Sequence, residues 1–307
     1  MSKFDFSSTI EKVQKSFKKE DERRFKQFGV GTTLFAEQIP ENFVVMPDWW
    51  NQYFGTIGLE FGKIVQIAGD ADTGKTSLAL EAMLRAQLQG VGILYVETEG
   101  KTTEADFVLK GIDPKGVMVV SSAITEEAFD GALRCWETFF KDFPKEKLLF
   151  VFDSYGNTVS KRDASLNITK QDQKPGGAAK TNRLGLNTMI ARMQTDPVAI
   201  LIVNYTYANI GSTGQTNAGG KALNFFSMLT LQAKRTGWID VTRQGVKVRA
   251  GAKVCWKVYK NHYAKTLLDE EGNQILLPSQ IDLSITAEGF KVLDSTTKKE
   301  EDDEGEG

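Results

Sequence analysis

From Trp49 onward, apolar runs of strand length alternate with stretches whose apolar positions recur every three or four residues. The runs are Ile64–Ala68, Val91–Val96, Val117–Val120, Leu148–Phe152 and Val198–Val203. Each is almost wholly apolar, the pattern of a strand buried on both faces. Between them the spacing predicts helices over Ser77–Gln89, Thr103–Lys110, Thr125–Phe140 and Ala179–Gln194. Strand and helix in alternation predict an α/β fold, a mainly parallel sheet with helices on both faces. After Gly220 the texture turns β-rich, and Met228–Lys234, Lys253–Tyr259 and Gln274–Leu277 are expected to extend the same sheet as antiparallel strands.

The two ends differ from this core. Residues 1–35 are polar and helix-prone, with Phe6, Ile10, Val13, Phe17 and Phe25 at spacings that form a narrow apolar stripe. Such an arm buries little alone; it docks on its own core or on a neighbouring subunit, or stays solvated. Residues 36–285 are expected to form the core, and 286–307 a disordered acidic tail ending in Glu300–Gly307. A net charge of −2 and a charged fraction of 25% belong to a globular chain without a uniformly basic coat. No apolar run approaches the roughly 20 residues that cross a bilayer. The N-terminus has no apolar signal region, which predicts a cytoplasmic protein with no membrane partner. Two Cys and one His leave no ligand set for structural zinc.

The chemistry begins at Gly69-Asp70-Ala71-Asp72-Thr73-Gly74-Lys75-Thr76, followed by Ser77. It is Gly-x-x-x-x-Gly-Lys-Thr between a strand and a helix, the context a phosphate-binding loop requires. Its glycines allow close backbone approach to an anion, and successive N–H groups with the helix N-terminus point at phosphate. Lys75 is expected to hold the β- and γ-phosphates, and Thr76 to ligate Mg²⁺. A second carboxylate for the metal is supplied by Asp153, at the carboxyl end of the Leu148–Phe152 strand, the edge where open α/β sheets bind ligands. Hydrolysis needs a group that orients or deprotonates water. Glu97 and Glu99 both stand at the end of another such strand, and spacing alone does not choose between them.

Gly58–Val65, Glu97-Thr98-Glu99, Asp153-Ser154 and Gly219-Gly220-Lys221-Ala222-Leu223-Asn224-Phe225-Phe226 together resemble the core of the RecA recombinases. The likeness covers about Phe54 to Leu277. The phage UvsX-type branch is the most similar, through Asp153–Lys161 and Val203-Asn204-Tyr205-Thr206-Tyr207. The resemblance implies a RecA-like P-loop core using ATP and Mg²⁺, with Glu99 as the catalytic glutamate. It places Lys260 and His262 as cations that reach a neighbouring subunit's ATP, and Tyr205 as the residue that senses the γ-phosphate. Three positions depart from the family. Tyr205 replaces an amide or imidazole and cannot mimic an amide's two-sided bonding. His262 is a full cation only if phosphate raises its pKa. The adenine-stacking position holds Asp106, with Phe107 beside it as the expected stacking residue.

DNA binding is implied at two loops, near 156–180 and 206–220. From Lys161 to Arg183, six basic residues (Lys161, Arg162, Lys170, Lys174, Lys180, Arg183) oppose two acids (Asp163, Asp172), a local charge of +4. The second loop offers Tyr207 for stacking, then Gly219, Gly220 and Lys221. Basic and small residues that track a phosphate backbone suit single-stranded binding without sequence readout. About 30 residues follow Leu277, too few for the further domain of bacterial RecA that helps handle duplex. The expected activity is that of a DNA-dependent ATPase and recombinase. It would self-assemble into a helical filament on single-stranded DNA and pair it with homologous duplex, with a mediator or single-strand-binding protein as a further partner. In a phage-encoded protein this would occur in the bacterial cytoplasm. Two other classes share the core: an ATP-binding assembly protein with little hydrolysis, and a hexameric motor.

Overall fold

A computed structural model describes residues 42–165, 177–208, 215–217, 222–269 and 271–293. The arm predicted over 1–35 and the acidic end of the chain lie outside the described residues.

A short ribbon of β1 (Phe43–Val45) and β2 (Gly58–Glu60) holds helix α1 (Asp48–Phe54) between its strands. The main sheet then starts with β3 (Ile64–Gly69), which feeds α2 (Lys75–Leu88). It continues through β4 (Gly92–Glu97), α3 (Glu104–Lys110), β5 (Val117–Ser121), α4 (Thr125–Asp142) and β6 (Leu148–Asp153). Next come α5 (Lys161–Ser165), α6 (Gly177–Arg192) and β7 (Val198–Asn204). A small antiparallel pair, β8 (Thr206–Ala208) with β9 (Gln215–Asn217), precedes α7 (Ala222–Phe226). The chain closes with β10 (Leu229–Arg243), β11 (Val246–Asn261), β12 (Gln280–Thr286) and β13 (Gly289–Val292).

The nine-stranded order is β13-β12-β11-β10-β3-β7-β6-β4-β5. From β10 to β5 all neighbours run parallel; β11, β12 and β13 add antiparallel strands at one side. The parallel strands β3, β6 and β7 are buried at every position, which is why their sequences read as unbroken apolar runs. One apolar cluster joins α1, α2 and α3 to one face through Trp50, Phe54, Leu78, Ala82 and Phe107. The other joins α4, α6 and α7 to the opposite face through Phe129, Trp136, Leu186, Met189 and Leu223.

Two expectations need correction. Gln274–Leu277 forms no strand; apart from an isolated bridge at Gln274, this apolar run finds no ladder partner, and Leu276 is exposed. The core does not end at residue 285: β12 runs to Thr286 and β13 pairs back onto it through Leu283↔Val292 and Thr286↔Gly289. The strands β10 and β11 also continue past their neighbours. Among the described residues Asp240–Arg243 against Val246–Arg249 has no third strand beside it, and Gln244-Gly245, both at positive φ, close a two-residue turn.

Candidate nucleotide site

The phosphate-binding loop is shaped by close backbone approaches. A Cβ on Gly69 would stand 2.2 Å from the Ala233 carbonyl oxygen of β10, so a larger residue would force the two strands apart. Gly74 sits at φ +84°, and its Cβ would meet Ile285 Cδ1 at 2.1 Å. Beneath the loop, Trp256 Nε1 donates to the Thr73 carbonyl at 3.0 Å, while Thr73 Oγ1 donates to the Asp70 carbonyl at 2.9 Å. Helix α2 then starts with no side-chain cap, leaving its first amides for an anion. Lys75 folds back onto the Asp70 carbonyl and Thr73 Oγ1, with its Nζ 5.1 Å from the centre of the Tyr205 ring. Burial pushes the Lys75 ammonium down, and Asp153, Glu99, Asp70 and Asp72 oppose that push.

The metal-binding pair predicted from sequence lies face to face. Thr76 Oγ1 donates to Asp153 Oδ2 at 2.8 Å, and Tyr95 OH donates to the same oxygen at 3.4 Å. Burial raises the Asp153 carboxyl to about 6, only partly offset by Thr76. A buried carboxylate beside a hydroxyl, both hard oxygen donors, fits Mg²⁺, which keeps most of its shell for water and phosphate. Among the described residues no cluster of three or more His, Cys, Asp and Glu side chains forms a metal cage of its own.

The structure separates the two glutamates. Glu97 turns back on its own loop and accepts from the amides of Glu99 at 3.1 Å, Gly100 at 2.7 Å and Lys101 at 3.1 Å. It shapes the turn that presents Glu99. Glu99 Oε1 accepts from Ser154 Oγ at 2.8 Å and from the Tyr205 hydroxyl, and its Oε2 pairs with Lys101 Nζ at 2.6 Å. Burial pushes the Glu99 carboxyl up, but the bonds from Lys101, Tyr205 and Ser154 outweigh it and leave the group below its ordinary value. A cavity of about 250 Å³ opens between Thr76, Asp153, Glu99, Lys101 and Asp106.

The adenine expectation is not met at Phe107. Its ring is 5% exposed and packs edge-on against Tyr95 at 5.8 Å, because the phase of α3 turns this position into the core. Asp106 lies one residue earlier at the cavity, where its Oδ2 accepts from Thr103 N at 2.7 Å and Thr103 Oγ1 at 2.8 Å to cap the helix.

Lys260 and His262 stand at the other edge of the sheet. Thr230 of β10 is level with Gln66 of β3 on one side and Lys260 of β11 on the other, while the loop starts beyond Gly69. Lys260 Nζ donates to the carbonyls of Asn224 and Phe225 at 2.9 Å, at the C-terminal end of α7. Burial, then Lys260 and Lys265, hold the His262 imidazole below its ordinary value.

Of the residues expected at DNA, Lys161 and Arg162 are exposed on α5, and Lys180 and Arg183 are exposed on α6. Lys170, Lys174, Gly219, Gly220 and Lys221 lie outside the described residues, as does the side chain of Tyr207 on β8. The second loop is not wholly irregular: Tyr207 pairs with Thr216 across β8 and β9.

Sequence reasoning missed several groups at the site. Lys101 and Ser154 adjoin residues already singled out, so inspecting neighbours would have found them. Trp256 and Arg235, which pairs with Asp72 at 3.2 Å, come from distant strands and carry no local signal.

The family described as the RecA N-terminal domain matches residues 7–278. Protein RecA of Malacoplasma penetrans is 26% identical over 244 residues, covering 78% of this chain and 69% of that protein. Protein RecA of Mycoplasma genitalium is 28% identical over 218 residues, 70% of this chain and 61% of its own length. That of Fusobacterium nucleatum is 28% identical over 241 residues, 78% of this chain and 60% of its own length. The chain thus spans about three fifths of the latter two proteins.

Proposed function

Because the chain belongs to the RecA family, we propose that it is an ATP-dependent DNA recombinase. It assembles as a helical filament on single-stranded DNA, pairs that strand with homologous duplex and exchanges strands. The observation that carries the reading is the convergence of Thr76, Asp153 and Glu99 on the phosphate-binding loop at one edge of the sheet.

In this reading Lys75 and the loop amides hold the phosphates, and Thr76 and Asp153 hold Mg²⁺, which neutralises charge on the phosphates when bound. Glu99, anchored through Oε1 by Tyr205 and Ser154, orients water and accepts its proton. Tyr205 lies between Lys75 and Glu99 and directly precedes β8, so a change at the phosphates is felt at the start of the second DNA loop. Lys260 and His262 complete the site of the adjacent subunit. The basic residues of α5, α6 and the chain between them grip the DNA backbone, with Lys221 and its two preceding glycines on the second loop.

We further assign the chain to the phage UvsX-type branch, on Asp153–Lys161 and Val203–Tyr207. It then acts in the cytoplasm of a bacterial host, with a mediator or single-strand-binding protein. Among the described residues no helix is long and apolar enough to cross a membrane.

The test is steady-state ATP hydrolysis with and without single-stranded DNA across a protein titration. Strong stimulation with a cooperative protein dependence is expected from a site completed between neighbours. ATP binding without DNA-stimulated turnover would instead identify a nucleotide-binding assembly protein.

A further inference from the structure

The cavity beside Thr76, at the end of the phosphate-binding loop, is poor in positive charge among its lining residues. Of the described side chains lining it, Glu97, Glu99, Asp106 and Asp153 are acids and Lys101 is the one cation. A nucleoside triphosphate brings several more negative charges, and Lys75, bonded to the Asp70 carbonyl and Thr73 Oγ1 within the loop, is not among the cavity's lining residues. Within the subunit the cations of the opposite edge stand apart from this cavity: Lys260 is bonded to the end of α7, and burial, then Lys260 and Lys265, hold the His262 imidazole below its ordinary value.

Lys101 is placed to make up the deficit. Its side chain is 75% exposed, and its ammonium feels Glu99 first and also Asp153 and Asp72, which brackets the position between the catalytic glutamate and the loop. Its partner Glu99 is held asymmetrically. Oε1 is anchored by Ser154 and Tyr205, whereas Oε2 meets Lys101. Removing Lys101 would leave a carboxylate with one oxygen fixed and the other able to accept a proton.

Resting on the reading of this cavity as an ATP site, we propose that Lys101 binds the terminal phosphate of ATP from within the subunit and leaves Glu99 to do so. In the resting state the ion pair blocks Oε2. When the triphosphate enters, the ammonium moves along its flexible stem to the γ-phosphate oxygens, and Oε2 is freed for water. Water oxygen attacks the γ-phosphorus and its proton passes to Oε2. The electron pair of the breaking bond to the β,γ-bridging oxygen leaves with ADP. Glu99 then returns the proton to solvent and recovers Lys101. ADP, lacking the terminal phosphate, leaves the ion pair intact, so Lys101 separates triphosphate from diphosphate.

The test is a competition measurement of ADP and ATPγS binding to the full-length protein with Mg²⁺, together with kcat and KM for ATP. Lys101→Ala is expected to weaken ATPγS about tenfold or more, the loss of one charge-assisted contact. ADP should change by less than about twofold, as for an exposed ion pair. Lys101→Arg should keep the preference for ATPγS. An unchanged ATPγS/ADP ratio in Lys101→Ala, or an equal loss on both nucleotides, would overturn the proposal. A wild-type protein that binds neither nucleotide would instead overturn the ATP reading itself.

Discussion

The two edges of the parallel sheet are opposite in character. At the carboxyl edge, polar groups are partnered within the subunit. Thr76 meets Asp153, Glu99 is held by Ser154, Tyr205 and Lys101, and Glu97 is closed by three amides. That edge is a finished cradle with a surplus of carboxylates. At the amino edge, Lys260 and His262 are both held below their ordinary values, first by burial and then by neighbouring cations, Lys265 for Lys260 and Lys260 with Lys265 for His262. Among the described residues the carboxyl edge is rich in carboxylates, and the amino edge gathers cations. In the proposed reading the two edges are half-sites of one centre, and the amino edge would face another subunit's phosphate.

The largest expected effect breaks the cradle. Glu99→Gln should lower kcat about 10²- to 10⁴-fold with nucleotide affinity retained, the usual weight of a positioned base; equal loss for Glu97→Gln would reverse the assignment of the two glutamates. Next, Lys75→Ala should weaken ATP about a hundredfold by equilibrium binding, since its charged bonds cannot be replaced by water in a closed loop. The comparison is sharpened by mixing. Lys75→Ala and Lys260→Ala subunits, each inactive alone, should recover part of the DNA-dependent ATPase when combined, because intact edges then meet at some interfaces. No recovery would place Lys260 outside the site.

Smaller effects follow from charge and packing. The Asp153 carboxyl is raised from 3.8 to about 6, so the native state binds more protons than the unfolded chain between those values. The Mg²⁺-free protein should therefore lose stability as pH rises through that window, and Asp153→Asn should flatten the slope of melting temperature against pH. Trp256→Phe should cost about 1 kcal/mol through the lost bond to Thr73, seen as a lowered denaturation midpoint. It should also loosen nucleotide binding slightly.

Much of this architecture was legible in the chain because burial on both faces leaves a plain mark. β3, β6 and β7 read as unbroken apolar runs, and the glycine-flanked loop between β3 and α2 announced itself. The antiparallel side was harder. In β12 only Ile281, Leu283 and Ile285 are buried, a weak alternation, while the stronger run at Gln274–Leu277 lacks a strand to pair with. Glu97 and Glu99 point the same way along an extended chain, so periodicity could not separate them; the turn after β4 does. Asp106 and Phe107 were decided by the phase of a helix only two turns long. Trp256 to Thr73 and Arg235 to Asp72 join strands far apart in sequence, contacts no local pattern carries.

The placement of the loop and of Lys260 at opposite ends of the same strands has a consequence for symmetry. Two surfaces that are not copies of each other cannot satisfy both partners across a twofold axis. Contacts of this kind are heterologous, joining head to tail, and unless the rotation closes a ring they continue without limit. Such an assembly is polar. In an open assembly of this kind, with Lys260 meeting the neighbour's loop as proposed, one terminal subunit would display an unmatched nucleotide edge and the other an unmatched cationic edge, so complete sites would number one fewer than subunits. The two ends are chemically distinct, and hydrolysis, loss and addition of subunits would proceed at them differently.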